Sequence, residues 1–246
     1  MIPILKQKAI TMQLEPHSLV ISDLHLGEQE PQITALFLRF LQNVARQAEA
    51  LYILGDLFEF WIGDDDLTPY HQSIISALKQ LTAEGIKLFI IRGNRDFLLG
   101  PDFMHASGAQ LLPEGTLVNF YGTRTLLAHG DSLCTDDRPY QRYRRIVQRS
   151  WVQRLFLHLP LAWRRSIAQK IRRRSSRQGS YQDVNPSAVE AALQHVDAAL
   201  LIHGHTHRLA VHFLKNHKQR WVLGAWHDSG SYIRLSDNRT EISQLR

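Results

Sequence analysis

The chain has a single cysteine, Cys134, among its 246 residues. A disulfide framework is therefore excluded, and a lone thiol suits a reducing compartment. No apolar run approaches the ~18 residues of a membrane-spanning helix. Residues 1–16 contain no apolar core of the kind a secretory signal needs, so none is expected. Acids are missing from one long stretch. Between Arg138 and Arg177 there are thirteen Lys and Arg and no Asp or Glu.

That gap changes the meaning of the net charge of +6. Outside the stretch, sixteen cations face all 23 carboxylates, a net of −7. The sequence describes an acidic body carrying one basic insert, and an insert of this kind is expected to meet something anionic. We take residues 1–135 and 183–246 as the body and 136–182 as the insert, with 175–182 as a linker. No internal repeat is present.

The body opens with short apolar runs at 18–22, 51–54 and 86–91. Between them lie segments from Pro31 and from Tyr70 to Glu84 with apolar residues three and four apart. Strand, helix, strand, helix, strand predicts an α/β layer with a parallel sheet. Further on, Tyr121-Gly-Thr-Arg124 between apolar runs predicts a hairpin. A helix over 187–196, capped by Asn185 or Ser187, precedes a strand over 199–202. The tail from Leu209 to Leu245 alternates like short antiparallel strands. The insert reads as two basic helices broken at Pro160.

Polar residues follow each strand in a consistent way. The runs lead into Asp23-Leu-His25, Gly55-Asp56, Gly93-Asn94-Arg95-Asp96, His129-Gly130-Asp131 and His203-Gly-His205-Thr-His207. In open α/β sheets, ligands bind at the carboxyl ends of the strands. Asp23, His25, Asp56, Asn94, His129, His205 and His207 form a set of oxygen and imidazole donors with no thiolate, which suits a divalent first-row ion. Seven donors exceed one tetrahedral site and suffice for two ions if Asp56, on the middle strand, bridges them. Side-chain alternation along an extended strand end would aim Asp23 with His25, and His205 with His207, the same way. His203 would then point away and is read as structural. Asp96 is expected to orient Arg95 or a ligand, and Asp131 to orient His129. Cys134 is read as buried filler and Asp64–Asp66 as a loop cap. His227 is open between structure and function.

As a set, D-x-H, G-D, G-N-x-D, H-G and G-H-x-H resemble the calcineurin-like metallophosphoesterases, from about Ser18 to Trp226 and outside most of the insert. The resemblance implies a four-layer α/β/β/α sandwich with an inserted helical lid. It implies two divalent ions, Mn2+ as the usual metal, one held by Asp23, His25, Asp56 and His207 and the other by Asp56, Asn94, His129 and His205. Many family members carry a His where this chain has Arg95. Arginine stays charged and cannot act as a general acid, but it can hold phosphate oxygens. A phosphate leaving group needs no proton, so Arg95 points to a phosphoanhydride.

The longer stretches 52–66, 93–100, 129–137, 201–208 and 223–227 resemble the branch of that family working in lipid A biosynthesis. That resemblance implies water attack at the α-phosphorus of UDP-2,3-diacylglucosamine, releasing UMP and 2,3-diacylglucosamine 1-phosphate. It assigns catalysis to Asp56, Asn94, Arg95 and His129, and substrate contacts to Asn94, Arg95, Asp137, Ser175 and His205. Two departures stand out. About seventeen residues precede the first strand, and the stretch 175–182 is shorter than the loop in that branch.

In the insert, the apolar stretch Leu155–Trp163 with Arg154, Arg164 and Arg165 around it reads as an interfacial tip. The expected partners are an acylated substrate and the cytoplasmic leaflet of the inner membrane, which makes the protein cytoplasmic and peripheral, with a monomer favoured. The competing partner is nucleic acid, since thirteen cations could also neutralise phosphates, but the apolar tip argues against it. The competing functions are a related metal-dependent phosphodiesterase or nucleotide pyrophosphatase with another substrate, and a scaffold without catalysis.

Overall fold

The computed structural model describes residues 16–176, 182–237 and 239–245, and the side chains of all of these except 173–176. Most of the segment ahead of the first strand, and residues 177–181 of the expected linker, lie outside the described residues.

Strand β1 (His17–Ile21) is buried along its whole length. Leu19 and Ile21 face one core and Val20 the other, as in a strand covered on both faces. Strand β2 (Ala50–Leu54) repeats this, with Leu51 and Ile53 on one side and Tyr52 and Leu54 on the other. Between them, α1 (Pro31–Asn43) starts at a proline and buries Ile33, Leu36, Phe37, Phe40 and Leu41. Helix α2 (Pro69–Ala83) is capped by Thr68, whose Oγ1 accepts from the His71 amide at 3.3 Å. Strand β3 (Lys87–Ile91) follows. Helix α3 (Pro101–Ser107) and β4 (Gln110–Leu112) were not expected from the sequence. Elements this short show no legible period.

The hairpin is β5 (Thr116–Phe120) and β6 (Thr123–Leu127). Its turn is tighter than expected. Tyr121 and Gly122, at φ 49° and 91°, make the two-residue connection whose twist matches the strands. Beyond the insert come α7 (Pro186–His195), capped by Asn185, and β7 (Leu200–His203). The chain then forms β8 (Ala210–Phe213), β9 (Gln219–Val222), β10 (Gly230–Ser236) and β11 (Thr240–Leu245). The tail was expected to be antiparallel throughout, yet β9 runs parallel beside β7. Alternation records which face of a strand is buried and carries no information about the direction of its neighbour.

Two sheets result, ordered β11-β10-β1-β2-β3-β4 and β5-β6-β7-β9-β8. Helices α1 to α3 cover the first, and α7 covers the second. A third core joins the sheets through Val20, Tyr52, Leu54, Ile91, Leu127, Ile202 and Leu223. Three cores between four layers make the α/β/β/α sandwich. A fully buried Leu, Ile or Phe contributes about 1.5–3 kcal/mol.

The insert forms three helices rather than two: α4 (Arg138–Val147), α5 (Ser150–Leu157) and α6 (Leu161–Ser176). The additional break falls at Arg149, whose backbone is extended. It brings Val147 of α4 and Val152 and Phe156 of α5 onto one cavity wall. Several of the insert's cations face inward. Arg164 is only 2% exposed and bonds the carbonyls of Ile62 (2.7 Å) and Leu159 (3.0 Å) and the Asp65 carboxylate. Arg165 pairs with Asp66, Arg144 with Asp131 (2.6 Å) and Arg172 with Glu59 (2.8 Å). The expected cationic rim at Arg164 and Arg165 is thus a pair of anchors to the body, each on a carboxylate, with Arg164 buried and Arg165 half exposed. Of the Asp64–Asp66 stretch, only Asp64 caps an element, accepting from the amides of Gly100, Asp102 and Phe103 at the start of α3.

Replacing Arg164 with Ala should loosen α6 by about 1–3 kcal/mol, because hydrogen bonds to a charged group carry roughly that much. Faster hydrogen exchange of α6 amides, with β1–β3 unchanged, is the expected result. Wild-type protection would show that the anchor carries no load.

Candidate active site

The loops after β1 and β2 are tied to each other. The Asp23 amide donates to the Gly55 carbonyl (3.2 Å), and the His25 amide to the Asp56 carbonyl (2.9 Å). Asp23, His25, Asp56, His205 and His207 all sit at φ between 51° and 64°. The strands therefore do not present these side chains by alternation, as the sequence suggested. Each chain turns left-handed on leaving the sheet, and left-handed non-glycine backbone clusters where a site demands it. Two glycines are required by contact. A Cβ on Gly93 would overlap Asp56, and one on Gly204 would overlap Asp23 and Ser22.

The seven predicted residues converge. Asp23, His25 and His207 present donor atoms all within 4.8 Å of one another, and so do Asp23, Asp56 and His129. Asp56 reaches both sides, with Oδ2 at 3.9 Å from His25 Nε2 and Oδ1 at 3.7 Å from His129 Nε2. Asn94 Oδ1 lies 2.9 Å from His129 Nε2 and 2.8 Å from His205 Nδ1. His25 and His207 bring their Nε2 atoms to 3.2 Å. Two imidazole nitrogens face each other this way when a proton or a cation is shared. These oxygen and imidazole donors suit divalent metal.

Electrostatics agree. Burial opposes charge on His129, but the carboxylates of Asp56, Asp23, Asp131 and Glu114 outweigh it and raise the imidazole to about 10. Burial also opposes charge on Asp23, yet the hydrogen bond from His207 and the nearby imidazoles hold it well below the carboxylate range. His205 is lowered to about 3 by burial and by charge on His129. The centre favours positive charge and keeps His205 neutral, as a ligand must be. His129 Nδ1 donates to the Leu54 carbonyl (2.9 Å) and its protonated Nε2 donates to Asn94 Oδ1 (2.9 Å), a proton that a bound cation would replace.

The supporting groups differ in part from expectation. Asp96 holds backbone rather than Arg95: it accepts from the amides of Gly93 (2.7 Å), Leu57 (2.8 Å) and Asp56 (3.3 Å). Burial and the neighbouring Asp56 charge raise it to about 6. Asp131 does not hold the His129 ring; it takes Arg144 and the Tyr140 hydroxyl (2.7 Å) from α4. His203 is buried with Nδ1 on the Gly204 carbonyl, and burial lowers it to about 4. Cys134 is buried, and burial first among its causes pushes the thiol up to about 12. His227 is exposed at the mouth of a cavity. Asp137 caps α4, accepting from the Tyr140 amide at 3.0 Å. Ser175 is on the last turn of α6, and its side chain lies outside the described residues.

Three contributors were missed. Glu59 takes Arg95 Nη1 (3.0 Å) and Arg172 Nε (2.8 Å) on one oxygen and lies 3.3 Å from His25 Nδ1 with the other. Glu114 accepts from the His129 amide at 2.9 Å. Tyr140 stacks on His205 with ring centroids 6.0 Å apart. None had a sequence signal beyond a lone acid or aromatic. Two cavities flank this centre and share Glu59, Phe60, Arg95 and Arg172. One, of 280 Å³, runs from Asn94 and Arg95 between Trp61, Phe97, Val152, Phe156 and Ile167. The other, of 400 Å³, opens from His25 and His207 between the starts of α1 and α2 and the flank of α6.

Residues 17–209 match the model of the calcineurin-like phosphoesterases. A UDP-2,3-diacylglucosamine hydrolase of Serratia proteamaculans is 52% identical over 237 residues, covering 93% of this chain and 99% of that protein. One from Photorhabdus laumondii is 50% identical, covering 92% of this chain and 97% of that protein. Among solved structures, vacuolar protein sorting 29 of Cryptosporidium parvum aligns with a TM-score of 0.49 at 17% identity, over 94% of this chain and 97% of that one. With five motifs at five strand ends and a family match across most of its length, the chain belongs to the calcineurin-like phosphoesterases.

Proposed function

We propose that this protein hydrolyses the pyrophosphate bond of UDP-2,3-diacylglucosamine in lipid A biosynthesis, releasing UMP and 2,3-diacylglucosamine 1-phosphate. The observation that carries the reading is an apolar cavity whose polar end is Asn94 and Arg95, beside a cluster suited to two cations. A soluble nucleotide needs no such cavity, whereas two acyl chains do. The named relatives point the same way.

Asp23, His25, Asp56 and His207 would hold one divalent ion, and Asp56, Asn94, His129 and His205 the other, with Mn2+ as the proposed metal. When bound, such ions lower the pKa of water and offset phosphate charge. The chain's own residues supply the rest. Arg95 faces the cavity mouth with its guanidinium steadied by Glu59 and its amide on Asp56 Oδ1 (2.8 Å). It stabilises charge on the departing phosphate, which leaves without a proton. Asn94, Arg95, Asp137, Ser175 and His205 are the proposed contacts to the substrate.

Helices α4 to α6, within the proposed insertion 136–182, form a lid. Its outer face carries Ile146, Trp151, Leu155 and Trp163, each at least half exposed, among Arg142, Arg145, Arg149 and Arg154. Among the described residues no helix is long and apolar enough to cross a membrane. The face suits contact with the inner leaflet, where each cation adds about 1 kcal/mol against anionic lipid.

Removing metal with a chelator should abolish UMP release, and adding Mn2+ should restore it. Asp56→Ala should lose at least three orders of magnitude in turnover even with Mn2+, and unchanged turnover would refute the two-ion centre. Arg95→Lys should lower kcat about 10²–10³-fold, the range for one charge-stabilising group. Trp151→Ala with Leu155→Ala should weaken sedimentation with anionic vesicles at low and high salt alike; equal binding by the variant would exclude this face.

A further inference from the structure

The 400 Å³ cavity has no occupant in the chemistry described so far. Its inner end is formed by His25 and His207, and it shares the wall of Glu59, Phe60, Arg95 and Arg172 with the apolar cavity. We infer that this second cavity is the binding site for the nucleoside of the substrate and for the nucleoside monophosphate product. The inference rests on the proposed cleavage of a UDP-linked lipid.

Attack at the α-phosphorus puts the nucleophile and the departing phosphate on opposite sides. The 5′-oxygen of the nucleoside is one of the lateral substituents between them. The nucleoside therefore leaves the reacting centre sideways and does not follow the acylated half into the apolar cavity. The second cavity begins at the same centre on the His25 and His207 side, and its volume lies within the range of small-ligand sites.

The part of its wall made by Gln29, Tyr70, His71 and Gln169 matches a neutral, hydrogen-bonding ring. His71 Nδ1 donates to the Asp66 carbonyl at 2.7 Å, so Nε2 keeps a lone pair. That acceptor suits the imide N–H of uracil. The amides of Gln29 and Gln169 can each donate to a carbonyl, and uracil has two. The Tyr70 ring, 5.9 Å from the His71 ring, gives an aromatic wall. Glu28 and Glu30 complete the outer wall. Carboxylates there can accept from ribose hydroxyls.

The test measures UMP binding calorimetrically to the Mn2+-loaded protein and to Tyr70→Ala, His71→Gln and Glu28→Ala variants, with Phe156→Ala in the apolar cavity for comparison. The three cavity variants should raise the UMP dissociation constant at least five-fold, while that for 2,3-diacylglucosamine 1-phosphate moves less than two-fold. Phe156→Ala should do the reverse. Glu28 is exposed, so its variant carries the test even if another fails to fold. Wild-type UMP affinity in all folded cavity variants, or weaker UMP binding in Phe156→Ala alone, overturns the assignment. A protein that turns over UDP-2,3-diacylglucosamine yet binds UMP elsewhere loses only this inference. One that binds UMP here but leaves the diacylated substrate intact loses only the proposed substrate.

Discussion

Asp23 and Asp56 are almost completely out of water and lie within reach of three imidazoles, His25, His129 and His207, and the rest of the structure is arranged around that buried negative charge. An isolated buried carboxylate costs several kcal/mol. Here the Asp23 carboxylate accepts from the His205 amide, and Asp56 from the Arg95 amide. Asp96 in turn holds the backbone of Asp56 and Gly93 in place. The left-handed turns and the glycines at 93 and 204 follow from the same requirement, because only a tightly folded loop brings two carboxylates so close together. This concentration of negative charge makes the centre receptive to cations.

Glu59 extends the arrangement outward. One carboxylate meets a candidate metal ligand, the proposed phosphate-binding arginine and an arginine of α6. Holding α6 to the body and positioning Arg95 are thus parts of a single electrostatic contact. Tyr140 and Arg144 make a second such link, joining α4 to Asp131 and His205. The basic insert, which from composition alone seemed directed at an external anion, uses Arg144, Arg164, Arg165 and Arg172 to hold itself to the acidic body. Its remaining described cations on α4 and α5 stand among the exposed apolar residues.

Much of the fold was legible because the body obeys strong periodicities. Three buried strands alternating with two amphipathic helices could be read from apolar spacing, and Asp23 to His207 could be read from their position after strands. Helix α3, strand β4 and the break at Arg149 could not, since each is too short for a period to repeat legibly. The direction of β9 was hidden because a strand's pattern reports its faces and not its partner.

The sequence by itself determined the donor set, the charge segregation and the choice of Arg95, all of which are properties of residue type and order. Tertiary structure decided how they act together. Only folding shows that Asp131 serves α4 and not the His129 ring, that Arg164 is buried, and that Glu59 links three groups from distant parts of the chain. Those roles depend on distances between side chains from nine to about a hundred residues apart, set by the packing of two sheets and a helical cover that no local pattern encodes.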